Sequence, residues 1–198
     1  MYTMKWIIII IGIIATILVA SQIYAMSTQN DIETYTYKVV KAYDRFEIRT
    51  YDEQLFTAVQ MEGNEYRDVS GRGFRVLAGY IFGGNERNEK IAMTSPVTMS
   101  LEDSTTMMFM VPKSFTEETL PKPNSREIEF RVEPARTVAA ISFGGWANDR
   151  KIEQYREILA AELAKEGIEH TGKFYFFGYN APFEIFNRRN EVVVELAS

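Results

Sequence analysis

The side chains able to do chemistry in this 198-residue chain are few and unevenly placed. There is no cysteine, and His170 is the single histidine. A structural zinc site, which draws its ligands mainly from Cys and His, is therefore disfavoured, and no thiol nucleophile exists. No Gly-x-Ser-x-Gly elbow occurs. Gly71-x-Gly73 and Gly83-Gly84 lack the Lys-Ser/Thr that completes a phosphate loop. Glu184, just after Pro182-Phe183, is a general base if it faces a pocket and a loop carboxylate if it does not. Two clusters suit binding better than turnover. Met93, Met99, Met107, Met108 and Met110 fall within 18 residues; thioethers line an adaptable apolar pocket or simply fill a core. Strand alternation sends Met108 and Met110 to one face and Met107 with Phe109 to the other. Phe174-Tyr175-Phe176-Phe177 with Tyr179 is a stacking surface for a flat ligand or a buried strand. Trp146, beside Gly144-Gly145, rims a pocket or closes the core.

These residues need elements to hold them. Tyr37–Lys41 and Phe46–Tyr51 read as a hairpin around Asp44, and Leu55–Met61 as a third strand. Phe74, Leu77, Ala78 and Ile81 recur at i, i+3, i+4, i+7, one face of a helix that Gly83-Gly84 ends. Asn64 or Ser70 is its candidate cap. Pro96–Ser100 and Thr106–Val111 are further strands around the turn at 102–104. Pro112 to Ser125, with three prolines, is a connecting loop. Then the order repeats. Glu127–Val132 and Thr137–Phe143 are strands, and Asn148 or Asp149 caps a helix whose Ile152, Tyr155, Leu159 and Leu163 share one side. Gly167 stops that helix, and strands follow at Lys173–Tyr179 and Val192–Leu196. Strand-helix-strand-strand thus occurs twice, near 55–111 and 137–196, which predicts an α+β domain built on a curved or barrel-like antiparallel sheet with two helices.

The first 30 residues pose a separate problem. Trp6 to Asn30 carries no charge, and eight isoleucines lie between Trp6 and Ala20. Residues 6–25 match the roughly 17–25 apolar residues a membrane-spanning helix needs. The isoleucines with Leu18 and Val19 favour insertion by roughly 3–6 kcal/mol. Trp6 and Tyr24 sit at the two interfacial depths, Lys5 precedes the span, and Asp31 and Glu33 follow it. That asymmetry predicts a membrane anchor with the body on the non-cytoplasmic side. The other reading is a signal peptide, cleaved near Ala20-Ser21 or Ala25, which leaves an exported soluble body. The expected organisation is an anchor or signal segment with a short linker at 1–30 and one domain at 31–198. Acidic and basic residues are interspersed, the net charge is −5, and there is no basic stripe, so nucleic acid is not an expected partner. Thirteen Phe and eleven Tyr must line a core or a pocket.

Several stretches together resemble one known family. Tyr37-Lys38-Val39-Val40-Lys41-Ala42-Tyr43-Asp44-Arg45-Phe46-Glu47-Ile48-Arg49 resembles its opening hairpin. Phe74-x-x-Leu77-x-x-Tyr80-Ile81-x-Gly83-x-Asn85 is similar to the end of its first helix. Lys90-Ile91-Ala92-Met93-Thr94-Ser95-Pro96-Val97 is the most specific run. Phe143-x-Gly145, Gly178-Tyr179-Asn180-Ala181-Pro182 and Arg188-Arg189-Asn190-Glu191-Val192 match its second half. On these residues the body, about 37–196, resembles the SOUL heme-binding proteins. The resemblance implies two similar halves forming a distorted antiparallel barrel with two flanking helices, a fold shared with bacterial effector-binding domains. It also implies a ligand, heme or another tetrapyrrole, held by apolar contacts near the first helix.

Carried onto this chain, the resemblance places the groove at Phe74, Leu77, Ala78 and Ile81, with Arg75 meeting the ligand's acidic groups. Animal relatives carry basic residues on the first helix and after the late proline. The matching positions here are Gly79 and Glu184, which leaves Arg72 and Arg75 as substitutes. Some relatives carry a histidine earlier in the chain, whereas here none precedes His170, in the polar loop 166–172. No axial iron ligand is therefore evident; a methionine or tyrosine is a ligand by type. Burying about 300 Å² of porphyrin yields roughly 7–8 kcal/mol against an association cost on the order of 4 kcal/mol or more, a millimolar affinity unless polar contacts add to it. The expected function is a non-catalytic, membrane-tethered binder of heme or a similar flat apolar ligand. The alternatives are a hydrolase on the same fold using Glu184, and an interaction domain without a small ligand.

Overall fold

A computed structural model describes residues 2–29, 32–63, 65–102, 104–181 and 184–197, with the side chains of 2–5, 8, 15, 18 and 23–29 outside the description. The chain opens with helix α1 (Tyr2–Gln29) and the short strand β1 (Glu33–Thr34). Strands β2 (Tyr37–Ala42), β3 (Glu47–Tyr51) and β4 (Gln54–Glu62) lead to helix α2 (Tyr66–Ile81). Strands β5 (Thr94–Ser95), β6 (Val97–Ser100) and β7 (Ser104–Met110) complete the first half. Strands β8 (Ile128–Glu133) and β9 (Arg136–Gly144), helix α3 (Asp149–Lys165), and strands β10 (His170–Gly178) and β11 (Arg189–Leu196) form the second.

Nine strands form one antiparallel sheet in the order β2-β3-β9-β11-β10-β6-β7-β4-β8, while β1 and β5 pair in parallel. From β3 to β8 this order is symmetric about the β10–β6 seam. β4, β7 and β6 mirror β9, β11 and β10, and each half lends its leading strand to the other: β3 pairs with β9, and β8 with β4. This exchange forces curvature. Only residues 52–53 join β3 to β4, and only 134–135 join β8 to β9, yet each pair lies six strand positions apart. In a flat sheet that separation is about 29 Å, whereas a two-residue link reaches about 11 Å. The sheet must curl until its ends meet. Tyr35 marks the meeting, with ring centroids 4.4 Å from Tyr51 on β3 and 5.3 Å from Phe56 on β4. The expected barrel is thus a half-barrel: among the described residues β2 and β8 stay edges, with no ladder closing the ring.

The two-residue period sorts the side chains. Val59, Met61, Met107, Phe109, Ile141, Phe143, Phe176, Val192 and Val194 lie in one buried cluster with Leu77, Ala78 and Ile81 of α2 and Ile152, Leu159 and Leu163 of α3. Phe56, Ala58, Met108, Met110, Val138, Ala140, Phe177 and Val193 fill the inside of the curl with Tyr35 and Tyr51. The methionines divide between the faces as their alternation predicts.

Residues 6–25 are helical, within α1. The membrane-spanning part of that expectation is not supported: among the described residues no helix is long and apolar enough to cross a membrane. Positions 8, 15, 18 and 23–25 of the span lie outside the described side chains.

Candidate ligand-binding site

α2 begins at Tyr66, earlier than Ser70 implies, and Asn64 lies outside the described residues. Its N-cap, Glu65, makes no side-chain capping bond. The Tyr66 N–H instead donates to the Asp149 carboxylate at 2.5 Å, in the first turn of α3. An orphan amide of one helix is satisfied by the other. This clasp holds the two helix starts together over the seam of the sheet.

Between them lies a cavity of about 240 Å³. α2 contributes Tyr66, Ser70, Gly71 and Phe74; the sheet contributes Val97, Met99, Met107 and Phe176. The turn before α3 supplies Trp146 and Ala147, and the opposite wall is Gly178, Asn180, Arg188 and Asn190. Phe74 meets Phe109 edge-on at 5.4 Å, and Tyr66 meets Phe176 edge-on at 5.1 Å, so both rings are held by the core behind them. Gly145 has φ +75°, a left-handed conformation, in the turn leading to Trp146. Asn190 fixes this turn by donating to the Gly145 carbonyl at 2.8 Å.

Among the described residues, Arg188 is the single charged one lining the cavity. Its guanidinium lies 4.0 Å from the Trp146 ring centroid, and its Nη1 donates to the carbonyls of Ala181 and Glu184 at 2.9 and 2.6 Å. Its Nε is buried and has no hydrogen-bond partner among the described residues. Burial pushes the Tyr66 hydroxyl above its ordinary value of 10.0, against the pull of Arg188, so it stays a neutral phenol at neutral pH.

On the other face of the same segments is a buried charge network. Glu191, fully buried, accepts from Arg49 Nη1 and Nη2 at 2.9 and 3.1 Å, from Arg189 Nη2 at 2.7 Å, from the Tyr179 hydroxyl at 2.8 Å and from the Ser142 hydroxyl at 2.9 Å. Burial pushes its carboxyl up, but the two arginines outweigh that and hold it below 4.5. Alternation explains the run 188–191: Arg188 and Asn190 face the cavity while Arg189 and Glu191 join the network.

The five expected site residues part company here. Phe74 lines the cavity. Leu77, Ala78 and Ile81 are buried against the sheet, 0–7% exposed, as part of the core. Arg75 is exposed on α2 and does not line the cavity, and exposed Arg72 lies 3.6 Å from Glu127. The four-residue stripe marks the helix face that packs on the sheet, and the hollow opens one turn earlier. His170 accepts from the Gly172 N–H at 3.2 Å and lies against Phe174, away from the cavity lining. Glu184 is buried, with its carboxylate accepting from Asn180 Nδ2 and the Ala181 N–H at 2.6 and 3.0 Å, and it does not line the cavity. Of the aromatic run, only Phe176 reaches the site; Tyr175 lies under Arg136 on the inner face. Arg188, Asn180 and Asn190 stood in the sequence inside the runs 178–182 and 188–192, which carried the family resemblance without a site assignment. Nothing in their spacing said which face they take.

The whole is an α+β domain, a curled, twofold-repeated antiparallel sheet with two helices and a largely apolar hollow at its seam. The chain belongs to the SOUL heme-binding protein family, whose pattern matches residues 32–195. Heme-binding protein 2 of Mus musculus is 31% identical over 155 residues, 74% of this chain and 76% of its own length. The Homo sapiens protein of that name is 30% identical over the same shares. Heme-binding protein 1 of Xenopus laevis is 24% identical over 74% of this chain and 81% of its own. Among solved structures, the EcmrR C-terminal domain matches 82% of this chain and 98% of its own at 11% identity, with TM-score 0.61. A hydrolase from Listeria innocua matches 80% and 94% at 9% identity, with TM-score 0.57. At such identities these two structures establish the fold alone.

Proposed function

We propose that the chain is a membrane-tethered, non-catalytic binding protein for heme or a similar flat tetrapyrrole, and that the ligand enters the cavity between α2 and Arg188. One observation carries the reading: the hollow is walled by Phe74, Met99, Met107, Trp146 and Phe176, and among the described residues its one charge is the cation of Arg188. Apolar walls suit a macrocycle, and a single guanidinium suits one carboxylate side arm. The volume of about 240 Å³ is below the roughly 300–1,000 Å³ that encloses drug-sized ligands. The site therefore takes an edge of the macrocycle, the remainder lying over the exposed Trp146. Heme, when bound, supplies its own iron chemistry; the residues here orient the ring and hold its acid group. No histidine lines the cavity; Met99 and Met107 are the lining thioethers, and Tyr66 is neutral.

The tether rests on the sequence of 6–25 and on a 28-residue helix whose Ile7, Ile9, Ile10, Ile11, Ile13, Ile14 and Ile17 are each at least half exposed. Such a surface is poorly suited to water and well suited to hydrocarbon. The preceding Lys5 and the acidic residues beyond the span favour a body on the non-cytoplasmic side. Glu184 is engaged within its own loop, which removes the base that a hydrolase reading needs in the cavity.

A charged hydrogen bond to Arg188 adds about 1.5–3 kcal/mol, which moves a millimolar contact to roughly 10–100 µM. Hemin titration of the full chain in mild detergent should give a saturable Soret shift in that range, weakened about 10- to 100-fold in Arg188→Ala. Unchanged affinity in that variant, or drift without saturation in the parent, would refute the reading.

A further inference from the structure

The loop 184–188 meets helix α1. The Ile185 N–H donates to the side-chain Oε1 of Gln22 at 3.1 Å. Gln22 lies five positions beyond Ile17, about 7.5 Å along the helix axis, where the apolar run gives way to Ser21 and Gln22. In the same loop Ile185 and Phe186 are 53% and 60% exposed. Trp146, also about half exposed, is joined to them through Arg188, which lies on its ring and donates to the Glu184 carbonyl. Three large apolar side chains thus gather at the level where α1 turns polar. From 185 to 189 the segment Ile-Phe-Asn-Arg-Arg has no carboxylate. Exposed aromatic and aliphatic side chains in a segment without carboxylates suit a surface lying among lipid headgroups.

We propose that Trp146, Ile185 and Phe186 insert into the headgroup region of the bilayer that holds α1, so that the cavity rim opens onto lipid. This rests on the tether reading above. It means that an apolar ligand reaches the site from the membrane rather than through water.

The chain has two tryptophans, Trp6 in α1 and Trp146 at the rim, so each can report alone. The full chain, ligand-free, is reconstituted as Trp6→Phe and as Trp146→Phe in phosphatidylcholine–phosphatidylglycerol vesicles with bromine high on the acyl chain or near its end. Trp146 emission should shift to the blue and be lost most with the shallow bromines. Ile185→Ser with Phe186→Ser should restore it and leave Trp6 quenching intact. If Trp6 is quenched while Trp146 emits as in water, the docking surface is refuted and the tether stands. If neither is quenched, both are refuted.

Discussion

Arg188 and Glu191 stand three residues apart and serve different ends. The first is a cation at a cavity wall; the second is a buried anion that ties Arg49, Arg189, Tyr179 and Ser142 together inside the curl. Glu191→Gln leaves Arg49, 3% exposed, with the partly exposed Glu47 carboxylate at 2.8 Å as its charge partner, and the loss of its charged hydrogen bonds to Glu191 should cost about 1.5–3 kcal/mol in urea unfolding. Because the native Glu191 carboxyl is held below its ordinary 4.5, its contribution is whole above that pH. It is lost as the pH falls through the lower native value. Melting temperature should therefore drop in acid below about pH 4.5 in the parent, with a smaller drop in Glu191→Gln. Equal acid profiles would remove Glu191 as the cause. At this scale the sequence was half legible. Alternation placed Met107 and Met108 on opposite faces, because period two needs no tertiary knowledge. It could not say that the stripe Leu77, Ala78 and Ile81 is wholly covered, since a groove and a core contact look alike in a helical pattern.

For α2, the face and the end were legible and the beginning was not. Leu77, Ala78 and Ile81 recur at helical spacing because that side packs on the sheet. The start escaped because the group that satisfies Tyr66 sits on α3, 83 positions away; only a local cap leaves a local signature. Asn148, a cap visible in the sequence, accepts from the Lys151 N–H at 2.9 Å. Asn148→Ala should lower stability by about 1 kcal/mol. Leu77→Ala, fully buried, should cost about 2–5 kcal/mol. Phe74→Ala, at the cavity, should instead lower hemin affinity. Calorimetry and titration on the two variants separate core from site, and a Leu77→Ala that folds normally but loses ligand would return the groove to its expected place.

Across the whole molecule, the duplication of strand-helix-strand-strand was visible while the exchange of β3 and β8 between halves was not. Strand order is set by which edges meet after collapse, and the sequence marks only the strands. The two-residue links at 52–53 and 134–135 were the available clue, since they limit how far apart their flanking strands end. That curvature places α2 on β4 and β7 and α3 on β9 and β11, on either side of the seam, and leaves the hollow between α2 and the turn that leads into α3. If the tether reading holds, the full chain should stay in the membrane fraction through an alkaline carbonate wash, and its release there would refute the anchor.

In the function proposed above, this hollow is where the ligand sits. Gly71 lines it, and a Cβ added there meets no atom within 4 Å; Gly79, two turns along the same helix and outside the hollow, is equally open at its Cβ. Neither glycine has the left-handed φ that strains a side chain, and in a helix each change removes a glycine that costs roughly 1 kcal/mol relative to alanine. The account predicts that Gly71→Trp keeps the parent's melting temperature and abolishes the saturable Soret shift, while Gly79→Trp binds hemin as the parent does. A folded Gly71→Trp protein with undiminished affinity would contradict it.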